Sequence, residues 1–290
     1  MIIREERKNY PMRELFKILK VSRSGYYHWE KQKVTMRKIE NIRLLERLRF
    51  YYDTSRHIYG LPRLWQSLRR EGLLINRKRV YRLMKLNNIR SKTRKRFRVT
   101  TRRDERAAYS HNLLKGNFTS SKKNKIWTSD ITYLWTKEGW LYLAVVMDLF
   151  HRKIIGWSTG EKITAELADK AIKKALRYGK PEEGIIFHSD RGCQYTSSLV
   201  RETLRKSGVV QSMSSTGNCY DNAVTESFFH TLKTEWTNWE VYETREEAKS
   251  SIFEFIEIFY NRKRLHSTLN YLSPVEFEEN NEDILTNKVA

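Results

Sequence analysis

Between Lys125 and Lys233 the sequence changes its hydrophobic period in an order that few folds accommodate. IWTSDITYLW, GWLYLAVVMDLF and RKIIGWST are three consecutive extended runs separated by short polar turns, as in an antiparallel meander. Thr164 to Tyr178 is amphipathic at helical spacing, with Leu167, Ala171, Ile172, Ala175 and Leu176 on the inward face. GIIFHSD follows as a short apolar strand, then a helix from about Ser197 to Lys206, then VVQSM as a strand, then a helical pattern carrying Glu226. Strand, strand, strand, helix, strand, helix, strand, helix predicts an α/β unit with a mixed five-stranded sheet.

Three acidic residues stand at telling places in this order. Asp130 lies inside the first extended run, and Asp190 follows the apolar strand at the start of a glycine turn. Glu226 comes after a gap of 35 residues, on a helix whose same-face neighbours are Asn222, Phe229 and Lys233. Any one of these acids alone would read as surface charge. Together, on two strands and a helix, they predict one site. Carboxylate oxygens from several elements suit two hard divalent cations held about 3.5–4 Å apart, the arrangement that drives displacement at phosphorus.

HSDRG, the 35-residue gap to Glu226, Lys233 seven residues further on and the closing YNRKRLHSTLNYLSP carry a resemblance. The chain resembles the integrase-type DDE transposases of bacterial insertion sequences, of the IS-three family and its second-reading-frame (OrfB) product, from about Tyr10 to Phe277. The resemblance implies a ribonuclease-H-like, retroviral-integrase-type core with Asp130, Asp190 and Glu226 both as catalytic residues and as ligands of two Mg²⁺, for which Mn²⁺ substitutes. It implies strand transfer as well as nicking, on transposon ends and target DNA. It also implies homo-oligomers in the synaptic complex and fusion to, or complex with, an upstream reading-frame product. Retroviral integrases carry an N-terminal zinc module, and this chain lacks the His/Cys pattern for one.

The charge is distributed unevenly. Residues 1–125 hold 36 Lys and Arg against 10 Asp and Glu, out of 56 and 34 in the 290 residues. A basic front half and a slightly acidic back half predict polyanion binding in front and a separate carboxylate site behind. Met12, Leu15, Phe16 and Leu19 share a helical face, and Ser22 is placed to cap a second helix with Tyr26, Tyr27 and Trp29, a helix-turn-helix pattern. After a connecting helix over 37–52, a second such unit places Leu61, Leu64, Trp65 and Leu68 on one helix, ended by Gly72. Asn76 caps the next, running from Arg77 to Leu86. Arg77, Lys78, Arg79 and Arg82 at its start are the candidates for major-groove contact. Arg90 to Arg106, with nine basic residues in 17 and Arg94, Lys95 and Arg96 at its centre, reads as an arm laid along phosphates.

These readings divide the chain into 1–52, 53–89, a basic linker over 90–118, a catalytic core over 119–278 and a polar, disordered tail over 279–290. Asp148 and Asp221 are decoys, the first in a turn and the second a helix cap beside Asn222. Tyr260, Asn261, Arg264 and His266 either brace the last helix or touch DNA. Two cysteines without a CxxC unit, no apolar run of about 18–20 residues and no signal-peptide core fit a bacterial cytoplasmic protein, held at the nucleoid by DNA. The expected function is a DNA transposase acting on terminal inverted repeats. The alternatives are a DNA-binding regulator without catalysis and a ribonuclease-H-like nuclease that only hydrolyses.

Overall fold

The structure is a computed structural model, and it describes residues 2–31, 35–92, 110–114, 118–214 and 223–286. Six helices come first: α1 (Ile2–Glu6), α2 (Met12–Ile18), α3 (Arg23–Glu30), α4 (Met36–Thr54), α5 (Leu61–Arg70) and α6 (Arg77–Leu86). Their boundaries follow local chemistry. Ser22 accepts from the Gly25 N–H, Thr35 from Lys38 and Asn76 from Lys78, satisfying donors that each helix start leaves open. Gly72, at φ +83°, turns the chain out of α5 in a conformation that favours glycine.

The sheet strands are β1 (Ile126–Thr136), β2 (Gly139–Asp148), β3 (Ile154–Gly160), β4 (Ile186–Ser189) and β5 (Val210–Met213). Their spatial order is β3-β2-β1-β4-β5, with β1–β2 and β2–β3 antiparallel and β1–β4 and β4–β5 parallel. The expected mixed five-stranded sheet is present, with β1 at its centre. Helix α7 (Ala165–Gly179) links β3 to β4, and α8 (Cys193–Thr196) with α9 (Ser198–Lys206) links β4 to β5. Gly156 makes the α7 crossover possible: a Cβ there would stand 2.3 Å from the Ala171 carbonyl. After β5 come α10 (Ala223–Thr231), α11 (Arg245–Phe253) and α12 (Pro274–Thr286).

Alternation along β1 and β2 sends their side chains into two cores. On one face Trp127, Ala144 and Val146 pack with Leu167, Ala171 and Ile172 of α7 and with Val200 and Leu204 of α9. On the other, Leu134, Leu141, Leu143 and Val145 meet Phe228, Phe229, Ile252, Phe255 and Phe259. This second core continues without a break into Leu48 of α4, Leu64 and Leu68 of α5 and Val80 and Leu83 of α6. The first unit closes on a small cluster of its own, Ile3, Leu15 and Tyr26.

Two stretches are π-helical: Glu254–Tyr260, which follows α11, and Leu232–Trp236, which follows α10 and carries the Lys233 that the sequence placed on one α-helical face with Glu226. The two stretches pack together, with the Trp236 ring 5.4 Å from Phe255 and 5.3 Å from Phe259. The expectation of a disordered tail after Glu278 is corrected: α12 continues to Thr286. Its anchor is Glu278 itself, whose carboxylate lies 2.6 Å from Lys153 Nζ, an attachment at a distance that local composition does not reveal.

Candidate active site

Asp130 and Asp190 meet because β1 and β4 are parallel neighbours. Thr128 pairs with His188, so two residues further along each chain the carboxylates emerge side by side at the end of β4. Each has one oxygen fixed by backbone: Asp130 accepts from the Ile131 N–H at 2.7 Å and Asp190 from the Gly192 N–H at 3.0 Å. Beneath them Ser129 Oγ lies 2.7 Å from the Tyr195 hydroxyl, and Tyr195 is fully buried. Glu226 sits in the first turn of α10, and α10 is pinned to β1 next door, where Thr225 Oγ1 donates to Thr128 Oγ1 at 2.9 Å.

The electrostatics tie these groups together. Burial pushes the Asp130 carboxyl well above the usual carboxylate range, and the Asp190 and Glu226 charges add to this. The Ile131 N–H and Lys233 pull the other way. Asp190 is raised by burial against its Gly192 hydrogen bond, and Glu226, although exposed, is raised by partial desolvation of its carboxyl. Lys233, from the π-helical stretch, is lowered by burial and raised by Asp130, and its Nζ lies 4.7 Å from the centre of the Tyr133 ring. The structure therefore brings Asp130, Asp190, Glu226 and Lys233 into one electrostatic neighbourhood.

The donor set suits a hard divalent cation, being carboxylate oxygen throughout and short of positive charge. Glu226 is exposed, however, and among the described residues no three His, Cys, Asp or Glu side chains stand close enough to enclose a metal ion. The pair Asp130 and Asp190 is formed. The Glu226 charge acts on Asp130 without the three carboxylates closing into one group.

The decoy Asp148 is accounted for by structure alone. Its two oxygens accept from the Asn124 N–H at 2.6 Å and the Phe150 N–H at 2.8 Å, fixing the turn out of β2. Asp221 and Asn222 lie outside the described residues, as do Arg94, Lys95 and Arg96. Arg77, Lys78 and Arg82 are exposed on α6, as a groove-reading surface requires. Arg79 is partly buried and binds Glu40 and Asn41 of α4 at 2.9 Å each.

The signature residues near the C-terminus brace the fold. Asn261 holds β3 by accepting from the Ile154 N–H and donating to the Ile154 carbonyl, both at 3.0 Å. Arg264 grips Glu235 with two hydrogen bonds, at 2.7 and 2.8 Å. Glu235 also receives Arg63 of α5 at 3.1 Å, and the Tyr59 hydroxyl donates to the Lys263 carbonyl and accepts from the Leu265 N–H. Sequence reading passed over Glu235, Arg63 and Tyr59. Glu235 and Arg63 are charged residues within helical segments and Tyr59 lies just before α5, and no local pattern links the three.

Comparison with known proteins agrees with this architecture. Residues 120–219 and 226–281 match two family models, each described as an integrase core domain, and residues 38–97 match an HTH-like domain. A 31 kDa protein of insertion element IS600 from Shigella sonnei is 42% identical over 259 residues, 89% of this chain and 95% of that protein. The transposase InsF of insertion sequence IS3A from Escherichia coli (strain K12) is 38% identical over 283 residues, covering 97% of this chain and 98% of that protein. The chain belongs to the IS3-family transposases. It is a DNA transposase with an integrase-type core and a helix-turn-helix-like DNA-binding region, and a core of this type depends on divalent metal. Among solved structures, the HTLV-2 integrase catalytic core domain in complex with magnesium overlays with a TM-score of 0.42, at 17% identity over 53% of the transposase and 95% of that chain. No helix among the transposase's described residues is long and apolar enough to cross a membrane.

Proposed function

We propose that Asp130, Asp190 and Glu226 form a D-D-E triad that cleaves one strand at each transposon end and directs the freed 3′-hydroxyl at a target phosphodiester. The observation that carries this reading is electrostatic. Of the acids on the sheet, Asp130 is the one whose proton affinity is raised by two further carboxylates from other elements, with Lys233 the opposing charge. Such a site gains by accepting cations in place of protons. Two Mg²⁺, or Mn²⁺ in their place, would be held by Asp130 and Asp190 with Glu226 completing the set, and when bound they supply charge stabilisation of the attacking and leaving oxygens.

The chain's own groups do the rest. Asp130 and Asp190 are pre-aimed by the Ile131 and Gly192 N–H bonds, so little reorganisation is needed on loading. Glu226 completes the set from the first turn of α10, which the Thr225 hydroxyl pins to β1. Lys233 takes a phosphate of the terminal nucleotide. Arg77, Lys78 and Arg82 lie on the major groove of the terminal inverted repeat, while Arg79 holds α6 in place behind them. The basic arm containing Arg94, Lys95 and Arg96 neutralises phosphates between the two sites. A homo-oligomer joins the two ends in the synaptic complex, in fusion or complex with the upstream reading-frame product, in the bacterial cytoplasm at the nucleoid.

The test is a strand-transfer assay on labelled terminal-repeat DNA with Mg²⁺ or Mn²⁺ and the upstream product present, comparing the chain with Glu226→Gln. Joined products that disappear in the variant are expected. Joined products formed equally by the variant, or a chain that binds its ends and neither nicks nor joins them, would remove the triad reading.

A further inference from the structure

The β1–β2 hairpin carries a surface that cleavage chemistry leaves unused. β1 pairs with β4 only from Ile126 to Thr128, so the rest of β1, to Thr136, runs on past the end of β4. On this extension Tyr133 pairs with Tyr142 and Trp135 with Trp140 in register, placing four aromatic rings on one face. They pack edge to face, with Trp140 5.0 Å from Tyr133 and 4.8 Å from Trp135. Tyr133, Trp135 and Trp140 remain 39%, 59% and 43% exposed, although hairpin tips ordinarily carry polar residues. The core under α7 covers Ala144 and Val146 on the same face, and the three exposed rings lie beyond it.

This surface joins the carboxylate site through one residue. Lys233 Nζ lies 4.7 Å from the Tyr133 ring centre, and the same charge acts on Asp130. Asp130, opposite Val145, stands on the other face of β1, and the β1 edge that β4 leaves unpaired beyond Thr128 joins the two faces beside Lys233, so a strand on the rings reaches the carboxylates round that edge.

We propose that the Tyr133, Trp135 and Trp140 surface is a stacking site for unpaired bases of the DNA strand whose phosphodiester lies at Asp130 and Asp190. The inference rests on the triad reading of that site. Base faces are hidden in a duplex and become available to aromatic rings only when the nucleotide leaves the stack. Unpairing the end of the strand frees its backbone to enter a half-buried carboxylate pair, and stacking on the hairpin offsets the lost pairing. The neighbouring cation takes the phosphate between base and scissile bond. A nucleic-acid strand satisfies both demands at once, an apolar face and a negative edge.

The test needs no catalysis. The full chain without metal is titrated against a short labelled oligothymidylate and against the same backbone with abasic sites, using wild type, Trp135→Ala and Trp135→Phe. Wild type is expected to bind the base-bearing strand about 5- to 100-fold more tightly than the abasic one, the range for stacking one base on an aromatic side chain. Trp135→Ala should lose most of that preference and Trp135→Phe should keep most of it. Equal affinity of wild type for the two strands, or an undiminished preference in Trp135→Ala, overturns the proposal. So does a change in sedimentation of the free chain on Trp135→Ala, which would assign the rings to a second copy. A base preference in a wild-type chain that gives no strand transfer would keep the stacking site and remove the triad.

Discussion

Two groups of carboxylates, nine residues apart along the chain at their closest, are treated in opposite ways by the fold. Burial also opposes the charge of Glu235, yet its hydrogen bonds to Arg264, together with the Arg264 and Arg63 charges, outweigh this and hold its carboxyl below the usual range. Asp130 has acids for neighbours, and its carboxyl is held well above that range with Lys233 as the counterweight. The first group is neutralised by the protein and fastens the helix-turn-helix unit to the core. The second is left short of positive charge, which costs stability and leaves room for cations supplied from outside. Buried acids therefore divide by who neutralises them, and that division separates scaffold from site.

The largest effect expected from breaking the contrast is on chemistry. Asp130→Asn should lower strand transfer by at least about 10³-fold, since under the proposed triad it removes a metal-holding carboxylate. The same change should stabilise the metal-free chain at neutral pH. A carboxyl raised in the folded state destabilises folding only above its ordinary pKa, so this gain should vanish as pH falls to the ordinary aspartate range. Thermal unfolding across pH reads both signs, and an Asp130→Asn chain less stable than wild type at neutral pH would contradict the assignment.

Glu235→Gln should act in the other direction, destabilising by about 3 kcal/mol, because it leaves Arg63 and Arg264 partly buried against an uncharged partner. The folded Glu235 carboxyl is depressed, so its contribution is complete above the ordinary glutamate range and is lost as pH falls through the lower folded value. The difference between wild type and Glu235→Gln in urea unfolding should therefore shrink in acid. A constant difference would mean that packing, and not charge, is lost.

Metal sharpens the same comparison. Mg²⁺ at about one hundred times its dissociation constant should add roughly 2.7 kcal/mol to wild type, a shift of several degrees in Tm. Asp130→Asn should lose this shift and Glu235→Gln should keep it. An equal shift in all three chains would place the metal elsewhere.

The smallest effects belong to surface charge. Lys78→Ala should reduce the slope of log affinity against log salt on terminal-repeat DNA by about one, with Tm unchanged. Arg79→Ala should instead lower Tm through its lost contacts with Glu40 and Asn41. Glu202, whose partners Arg205 and Lys206 share its exposed helix face, should be replaceable by Gln with no measurable change in either property.

Much of the site was legible because its signals are local. The three extended runs became β1 to β3, the caps at Ser22 and Asn76 formed as expected, and Asp190 follows the apolar strand. Lys233 was placed by counting two α-turns from Glu226. It stands near enough for its charge and that of Asp130 to act on each other, in a π-helical stretch that the count did not include. Reading Arg79 with its neighbours as a DNA contact missed its partners, Glu40 and Asn41, because they lie on another helix.

The sequence by itself determined which residues are apolar at which period, where helices start and which acids follow strands, since each depends on contacts within a few residues. The parallel pairing of β1 with β4, the split between neutralised Glu235 and under-neutralised Asp130, the docking of Tyr59 and Arg63 on the segment beyond α11 and the aromatic surface beside Lys233 were decided only in three dimensions. Each depends on charges and surfaces far apart in the chain, and their energies exist only once burial has removed the water between them.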